Sequence, residues 1–444
     1  MDGPNRSFTN EHGQAFTPFG VTYYRPGTGW APQVWKQFDP EATSRDFKIM
    51  KESGVNCARV FLSFGSFYME PGKLMPDGLE KFDQFLAAAE AAGLYVHPTG
   101  PDHWEGTPDW AKADGIADEQ VLSALEQFWR LFAERYRNRS VIFAYDLRNE
   151  PEVGWDTPAL ARKWNAWLER KYSSAEELKK AWRSGDETTF GKVAIPRPTE
   201  ALGDKRLLDY QRFREDIAEE WTARQAKAIK DGDPKALVTV GLVQWSVPSL
   251  LPGIQHYAGF RPARIAPLVD FMEVHFYPLE NGFYEYSPRD EPRNLAYLES
   301  VVRECAFPGK SLVIAEFGWY GGGKPTIDGG KHPFASEEAQ ARWCRQLVAV
   351  TKSYACGWLN WGFYDQPEAQ DVSQLTGLFT ATGKAKKWGD EFRRLVSEAP
   401  KQPTGTASRS FPLLDWDACL TSQKAQVDFR EAFLKGFVPP ASVR

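Results

Sequence analysis

Val141-Ile142-Phe143-Ala144-Tyr145-Asp146-Leu147-Arg148-Asn149-Glu150-Pro151 is an apolar β-run that ends in Asn-Glu-Pro. It predicts a buried strand that delivers a carboxylate to its carboxyl end. Leu312-Val313-Ile314-Ala315-Glu316-Phe317-Gly318 does the same with Glu316. Two carboxylates so placed can flank one glycosidic bond, which points to sugar chemistry.

Working outward, strand-like runs recur at 19–24, 57–64, 94–99, 141–147, 237–243, 271–277, 312–317 and 358–363. Helical patterns lie between them, as in Leu79, Phe82, Phe85, Leu86 and Ala89, with Gly93 as a stop. Apolar strands alternating with amphipathic helices imply a parallel sheet buried on both faces, and eight such units suggest an α/β fold closed into a (β/α)8 TIM barrel. An open doubly wound sheet fits less well. The first βα junction, Tyr23-Tyr24-Arg25-Pro26-Gly27-Thr28-Gly29-Trp30, contains no GxGxxG, and polar residues follow many strands, not one switch point.

The stretch 155–234 exceeds one crossover and holds helical segments at 160–172, 175–182 and 207–230, so it reads as an elaborated loop after strand four that walls a site. Past Pro400 the composition turns to Lys-Gln-Pro-Thr-Gly-Thr-Ala-Ser. The expected organisation is a catalytic barrel over 1–400 and, over 401–444, a linker and a helical extension (helix at about 421–435) packing back on the barrel.

With 54 basic and 59 acidic residues mixed along 444 positions and a net charge of −5, no basic stripe for nucleic acid is present. Five widely spaced cysteines give neither a disulfide framework nor a CxxC metal pattern. The first residues lack an apolar leader core, and no run approaches the roughly 18 apolar residues of a membrane span. The chain therefore reads as soluble, either cytoplasmic or secreted with its leader removed, and its oligomeric state is left open. The 17 Trp, 16 Tyr and 29 Phe suit stacking on sugar faces as well as ordinary packing.

In a barrel the active face is built at the carboxyl ends of strands. Arg59 falls there after strand two, Asn149 and Glu150 after four, His275 and Tyr277 after six, Glu316 after seven and Trp361 after eight. These residues resemble clan A of the glycoside hydrolases, and family 5 most closely. The match spans roughly 15–398 and rests on Asn56-Cys57-Ala58-Arg59-Val60, Asn149-Glu150-Pro151, His275-Phe276-Tyr277, Ala315-Glu316-Phe317-Gly318 and Leu359-Asn360-Trp361-Gly362.

The resemblance implies a retaining double displacement with Glu150 as acid/base and Glu316 as nucleophile, and neither cofactor nor metal. It implies that Asn149 binds the sugar 2-hydroxyl, that His275 fixes the carboxylate network beside the sugar, and that Trp361 lies under it, with Trp104 and Trp319 as further walls. Arg59 and Tyr277 would favour an ionised Glu316. The family usually places a histidine near the end of strand three, and here either His97 or His103 fills that role, or neither. The segment 164–182, with Lys171-Tyr172-Ser173-Ser174, is similar to the β-galactosidases of family 42.

Two decoys fall away. Gly318-Trp319-Tyr320-Gly321-Gly322-Gly323-Lys324-Pro325 nearly spells a Walker A loop, but Pro325 stands where Ser or Thr would bind magnesium. His97, Asp102 and His103 match no metal-ligand spacing, and no GxSxG is present. The expected activity is hydrolysis of a β-linked oligo- or polysaccharide of mannan or glucan type. The alternatives are exo-action on β-galactosides, β-glucosides or β-mannosides, transglycosylation, and sugar binding without catalysis.

Overall fold

The computed structural model describes residues 8–10, 12–102, 104–112, 115–184, 188–248, 253–278, 291–326, 332–398 and 411–439. Among them eight parallel strands close into a barrel. In chain order they are β1 (Phe19–Thr22), β2 (Cys57–Ser63), β3 (Tyr95–Asp102), β4 (Tyr145–Asn149), β5 (Val238–Leu242), β6 (Met272–Phe276), β7 (Leu312–Phe317) and β8 (Trp358–Asn360), with β8 paired back onto β1. The (β/α)8 expectation is met.

The strands are apolar along their length because one face points into the barrel and the other meets the helices. All seven residues of β2 are buried, the guanidinium of Arg59 included. The surrounding helices are α1 (Pro40–Glu52), α2 (Pro76–Ala92), α3 (Glu119–Tyr136), α4 (Pro158–Lys171), α5 (Ala175–Trp182), α6 (Lys205–Gly232), α7 (Glu291–Cys305), α8 (Glu337–Thr351) and α9 (Lys387–Glu398). Gly93, at φ +69°, ends α2 in the left-handed conformation that a residue without Cβ adopts at least cost.

A short antiparallel hairpin, Phe8–Thr9 with Ala15–Phe16, precedes β1. Phe8 packs edge-on against Phe143 and Phe271 at 4.9 and 5.1 Å, in a cluster with residues from the amino ends of the strands, such as Cys57 and Val313. That end of the barrel is thus filled with apolar side chains, and the polar strand-end residues lie at the other.

Two boundaries differ from expectation for physical reasons. β4 begins at Tyr145, since before it Ile142 makes only an isolated bridge to Val96. β8 ends at Asn360, whose side-chain amide donates to the carbonyl of Gly362 at 2.9 Å, beside a positive φ at Gly362.

The elaborated loop after β4 is built by α4, α5 and α6, which open on the side-chain caps Thr157, Ser174 and Asp204. Trp164 packs against Trp167, Trp182 and Tyr210. The three helices converge on buried Asp209, which accepts from Lys171, Lys205, Tyr172 and the Trp182 indole. Burial pushes the Asp209 carboxyl up, but these donors outweigh it and hold it below its ordinary 3.8.

Asp209→Ala is therefore expected to destabilise the fold by roughly 2–4 kcal/mol near neutral pH. A depressed carboxyl stabilises above its unfolded value and loses that contribution as pH falls through the folded one. The melting difference between variant and wild type should accordingly shrink as the pH falls below the ordinary carboxyl value of 3.8. A difference independent of pH would contradict this account.

At the carboxyl terminus two helices, α10 (Trp416–Thr421) and α11 (Gln423–Gly436), stand where one was expected. Ser422, extended at φ −146°, ends the first and caps the second through Ala425. α10 contacts α6, and α11 contacts α7. The expected linker lies outside the described residues. No described helix is long and apolar enough to cross a membrane.

Candidate active site

Cross-strand register brings the strand-end residues together. Thr22 pairs with Arg59, Arg59 with His97, Asn149 with Gly241, Gly241 with Glu273, and His275 with Glu316. Gly241 has no side chain to spend on this layer. A Cβ there would lie 3.0 Å from His275 Nε2 and 3.1 Å from Asp146 Oδ2, so the glycine leaves room for both. Its N–H donates to Asp146 Oδ1 at 2.8 Å, and its carbonyl accepts from the Glu150 N–H at 2.9 Å.

Glu150 leaves β4 at φ +47°, a conformation that costs a non-glycine residue roughly 1–2 kcal/mol. The turn is held from behind by Arg214 of α6, which donates to the carbonyls of Val153, Gly154 and Tyr257. The elaborated loop thus braces the backbone that follows Glu150. The Glu150 side chain is 22% exposed and that of Glu316 is 8% exposed.

Both oxygens of Glu316 are engaged. Arg59 Nη1 donates to Oε2 at 2.9 Å and the Tyr277 hydroxyl to Oε1 at 2.9 Å. His275 Nδ1 lies 3.1 Å from Glu150 Oε1 and 3.6 Å from Glu316 Oε2. One carboxylate oxygen of Glu150, one of Glu316 and a ring nitrogen of His275 all lie within 4.8 Å of one another. Arg59 Nη2 also donates to Asn149 Oδ1 at 2.8 Å and to Asp146 Oδ2 at 3.1 Å. With its oxygen taken by Arg59, half-buried Asn149 presents its NH2 as the remaining polar group.

Burial holds the Glu316 carboxyl above its ordinary 4.5, the negative charge of Glu150 adds to this, and His275, Arg59 and Tyr277 act against it. The expected lowering by Arg59 and Tyr277 is present but smaller than desolvation. Burial also disfavours a charged His275, yet Glu316 and the contacts with Glu150 and Glu273 push the ring up to about 10. His275 is then an imidazolium at neutral pH.

Trp361 is 5% exposed, with its indole N–H donating to Ser373 Oγ at 2.7 Å and its ring packed on Trp30, Tyr24 and Phe61. Trp319 is buried against Tyr320 and His332, so it offers little surface to a ligand. Trp104 is 60% exposed. His97 is buried inside the barrel on Glu273 and the Ala144 carbonyl and does not reach the cleft, while His103 lies outside the described residues.

The backbone N–H groups of Gly321, Gly322 and Gly323 in the Walker-like loop bond to the Leu375 and Ala335 carbonyls. They form no phosphate cradle. Among the described residues two trios, His97/Asp146/Glu273 and Glu150/His275/Glu316, have the spacing of metal ligands. Each already faces a protein cation: Arg59 lies against Asp146 and Glu273, and the His275 ring carries the charge in the second.

Asp146, Gly241 and Glu273 were not singled out from the sequence. The available signals were a carboxylate inside an apolar run for Asp146, a glycine mid-strand for Gly241, and the i, i+2 spacing of Glu273 and His275, which puts both on one strand face.

Known proteins share parts of this sequence and its fold. The β-galactosidase profile of glycoside hydrolase family 42 matches residues 116–316. β-Galactosidase BgaA of Clostridium cellulovorans is 24% identical over 240 residues, 48% of this chain and 36% of that protein. A probable mannan endo-1,4-β-mannosidase F of Aspergillus flavus is 22% identical over 348 residues, 71% of this chain and 61% of that protein. The chain thus spans less than two thirds of the length of either relative.

A family 5 subfamily 18 glycoside hydrolase from Streptomyces cattleya, crystallised with GlcNAc, has the same fold. Its TM-score is 0.64 at 18% identity, covering 94% of this chain and 90% of that one. By its strand-end motifs, its barrel and these relatives, the chain is similar to the clan A glycoside hydrolases of families 5 and 42.

Proposed function

We propose that this chain is a retaining β-glycosidase acting on O-glycosidic bonds of a β-linked oligo- or polysaccharide of mannan, glucan or galactoside type, with Glu316 as nucleophile and Glu150 as general acid/base. The observation that carries the reading is the carboxyl pair, whose oxygens approach within 4.8 Å. Retaining enzymes hold the two groups about 5–5.5 Å apart, whereas inverting ones need roughly 6.5–9.5 Å to admit a water.

In the first step a Glu316 oxygen bonds to the anomeric carbon while Glu150 gives its proton to the departing glycosidic oxygen. In the second, ionised Glu150 takes a proton from water as the water oxygen displaces Glu316. Arg59 and Tyr277, one on each Glu316 oxygen, fix the carboxylate plane through both steps. Asn149 turns its NH2 to the sugar, and Trp361 with Trp30 supplies an apolar surface beneath it. No cofactor or metal is assigned a role.

The test is a panel of aryl β-mannosides, β-glucosides and β-galactosides with β-1,4-mannan and β-1,4-glucan, following the first-formed anomer by proton NMR. Release of the β-anomer is expected, and product size separates exo from endo action. An α-anomer formed first, or no release from any substrate, overturns the proposal.

The pH profile follows from the Glu316 environment. The acid limb of kcat/KM should lie above the ordinary glutamate value of 4.5, because burial disfavours the ionised nucleophile. Tyr277→Phe removes a donor to that anion, so the limb should move to still higher pH as kcat falls about ten- to hundred-fold. A limb that stays put or moves to lower pH would contradict this role for Tyr277.

A further inference from the structure

Beneath the two cleft carboxyls the barrel interior holds Arg59, His97, Asp146 and Glu273, each at most 1% exposed. Glu273 is the shared counter-charge of Arg59, His97 and His275. Its Oε2 lies 3.0 Å from His97 Nε2. Its Oε1 lies 3.7 Å from His275 Nε2 and 3.9 Å from Arg59 Nε. The last two are charge contacts, too long for hydrogen bonds.

Arg59 and His275 are both two-sided. Each turns one nitrogen down to Glu273 and another up, Arg59 Nη1 to Glu316 and His275 Nδ1 to Glu150. Behind Glu273, His97 Nδ1 lies 2.8 Å from the Ala144 carbonyl, which can only accept, so Nδ1 carries a hydrogen. The Nε2 contact with a carboxylate is then a hydrogen bond only if a second proton is present. Burial disfavours that cation, but Glu273, Asp146 and the Ala144 carbonyl together outweigh it, and the ring's proton affinity is raised.

We propose that Glu273, backed by the His97 imidazolium, is a positioning residue that sets the orientation and charge of Arg59 and His275 and through them the two carboxyls of the reaction. This rests on the glycosidase reading above. A buried carboxylate here costs several kcal/mol of desolvation, which packing alone would not require of a core position. The charged or titratable groups that face Glu273 are Arg59 and Cys57 from β2, His97 from β3, Asp146 from β4 and His275 from β6.

Glu273→Gln removes the anion that Arg59 Nε and His275 Nε2 face on the side away from the cleft carboxyls. His97 would then give up its proton, but it touches Glu273 and not the cleft carboxyls, so the nearer charge decides the sign. Glu316 and Glu150 feel a more positive field, and both limbs of the kcat/KM bell should move to lower pH by more than half a unit. His97→Gln keeps a donor on Glu273 but removes the cation behind it, so both limbs should move to higher pH. In both variants kcat should fall at least ten-fold with KM changed less than three-fold.

Profiles that coincide with wild type, or that move in the same direction, would overturn the proposal. If Glu273→Gln does not fold, His97→Gln alone decides by the sign of its shift. Nitrogen NMR of the wild-type chain, which has six histidines, gives a reading independent of turnover. The His97 ring should lose its second proton only above the ordinary histidine value of 6.5, and a ring already neutral below that value would overturn the arrangement. Absence of glycosidase activity in the wild type counts against the functional reading. An unshifted profile in an active enzyme counts against Glu273.

Discussion

Glu316→Ala is expected to lower kcat/KM by at least about four orders of magnitude, or ~5 kcal/mol of transition-state stabilisation. The variant removes the atom that bonds to the anomeric carbon and leaves Arg59 Nη1 and the Tyr277 hydroxyl without the carboxylate they hold at 2.9 Å. Those two donors then surround a vacated space that suits a small anion. Added azide should enter it, attack the sugar from the same face and restore turnover with an activated aryl glycoside, giving a glycosyl azide of inverted configuration.

Glu150→Ala should behave differently. Its loss removes the proton donor and base but leaves Glu316 to form the glycosyl-enzyme, so azide replaces only the second step and yields a product of retained configuration. The two azide products therefore assign the two carboxyls separately. Near-native activity of Glu316→Ala would remove the nucleophile assignment. Inverted azide from Glu150→Ala would exchange the roles.

The parts of this site legible in the sequence are those that a strand end makes visible. Glu150 and Glu316 each follow an apolar run, so period and position alone place them on the open face of a barrel. What joins them is not local. Arg59 meets Asp146 and Glu316 across separations of 87 and 257 residues, and which layer of the barrel each occupies depends on register between strands that the sequence does not state. Glu273 and Gly241 belong to that same layer. One lies two residues before His275, and the other sits mid-strand where a Cβ would crowd His275 and Asp146.

The fold itself was more legible than its edges. Eight runs read from the sequence correspond to the eight strands, yet β4 starts late because Ile142 only bridges. Likewise Ser422 divides the last helix in two by taking an extended conformation inside an otherwise helical pattern. His97 shows the limit of residue type as a guide. A histidine near the end of the third strand suggested the cleft, but its side chain points into the barrel, where Glu273 and a carbonyl satisfy both nitrogens.

Asn149→Ala is the second large effect expected, a loss of roughly 2–4 kcal/mol in kcat/KM carried mostly by kcat. Arg59 Nη2 holds Asn149 Oδ1 at 2.8 Å, which fixes the amide plane and leaves its NH2 to meet the sugar 2-hydroxyl. A contact of that kind tightens as oxocarbenium character develops, so it acts on the transition state more than on bound substrate. The variant also removes one partner of Arg59, and that structural part must be separated from the sugar contact. A 2-deoxy substrate does so. If the amide acts through the 2-hydroxyl, the mutation should cost several-fold at most on the 2-deoxy substrate, which already lacks the interaction, against about 30- to 1000-fold on the normal one. Equal losses on both would mean that Asn149 serves Arg59 and the strand end alone, and the sugar contact would have to be sought on another residue.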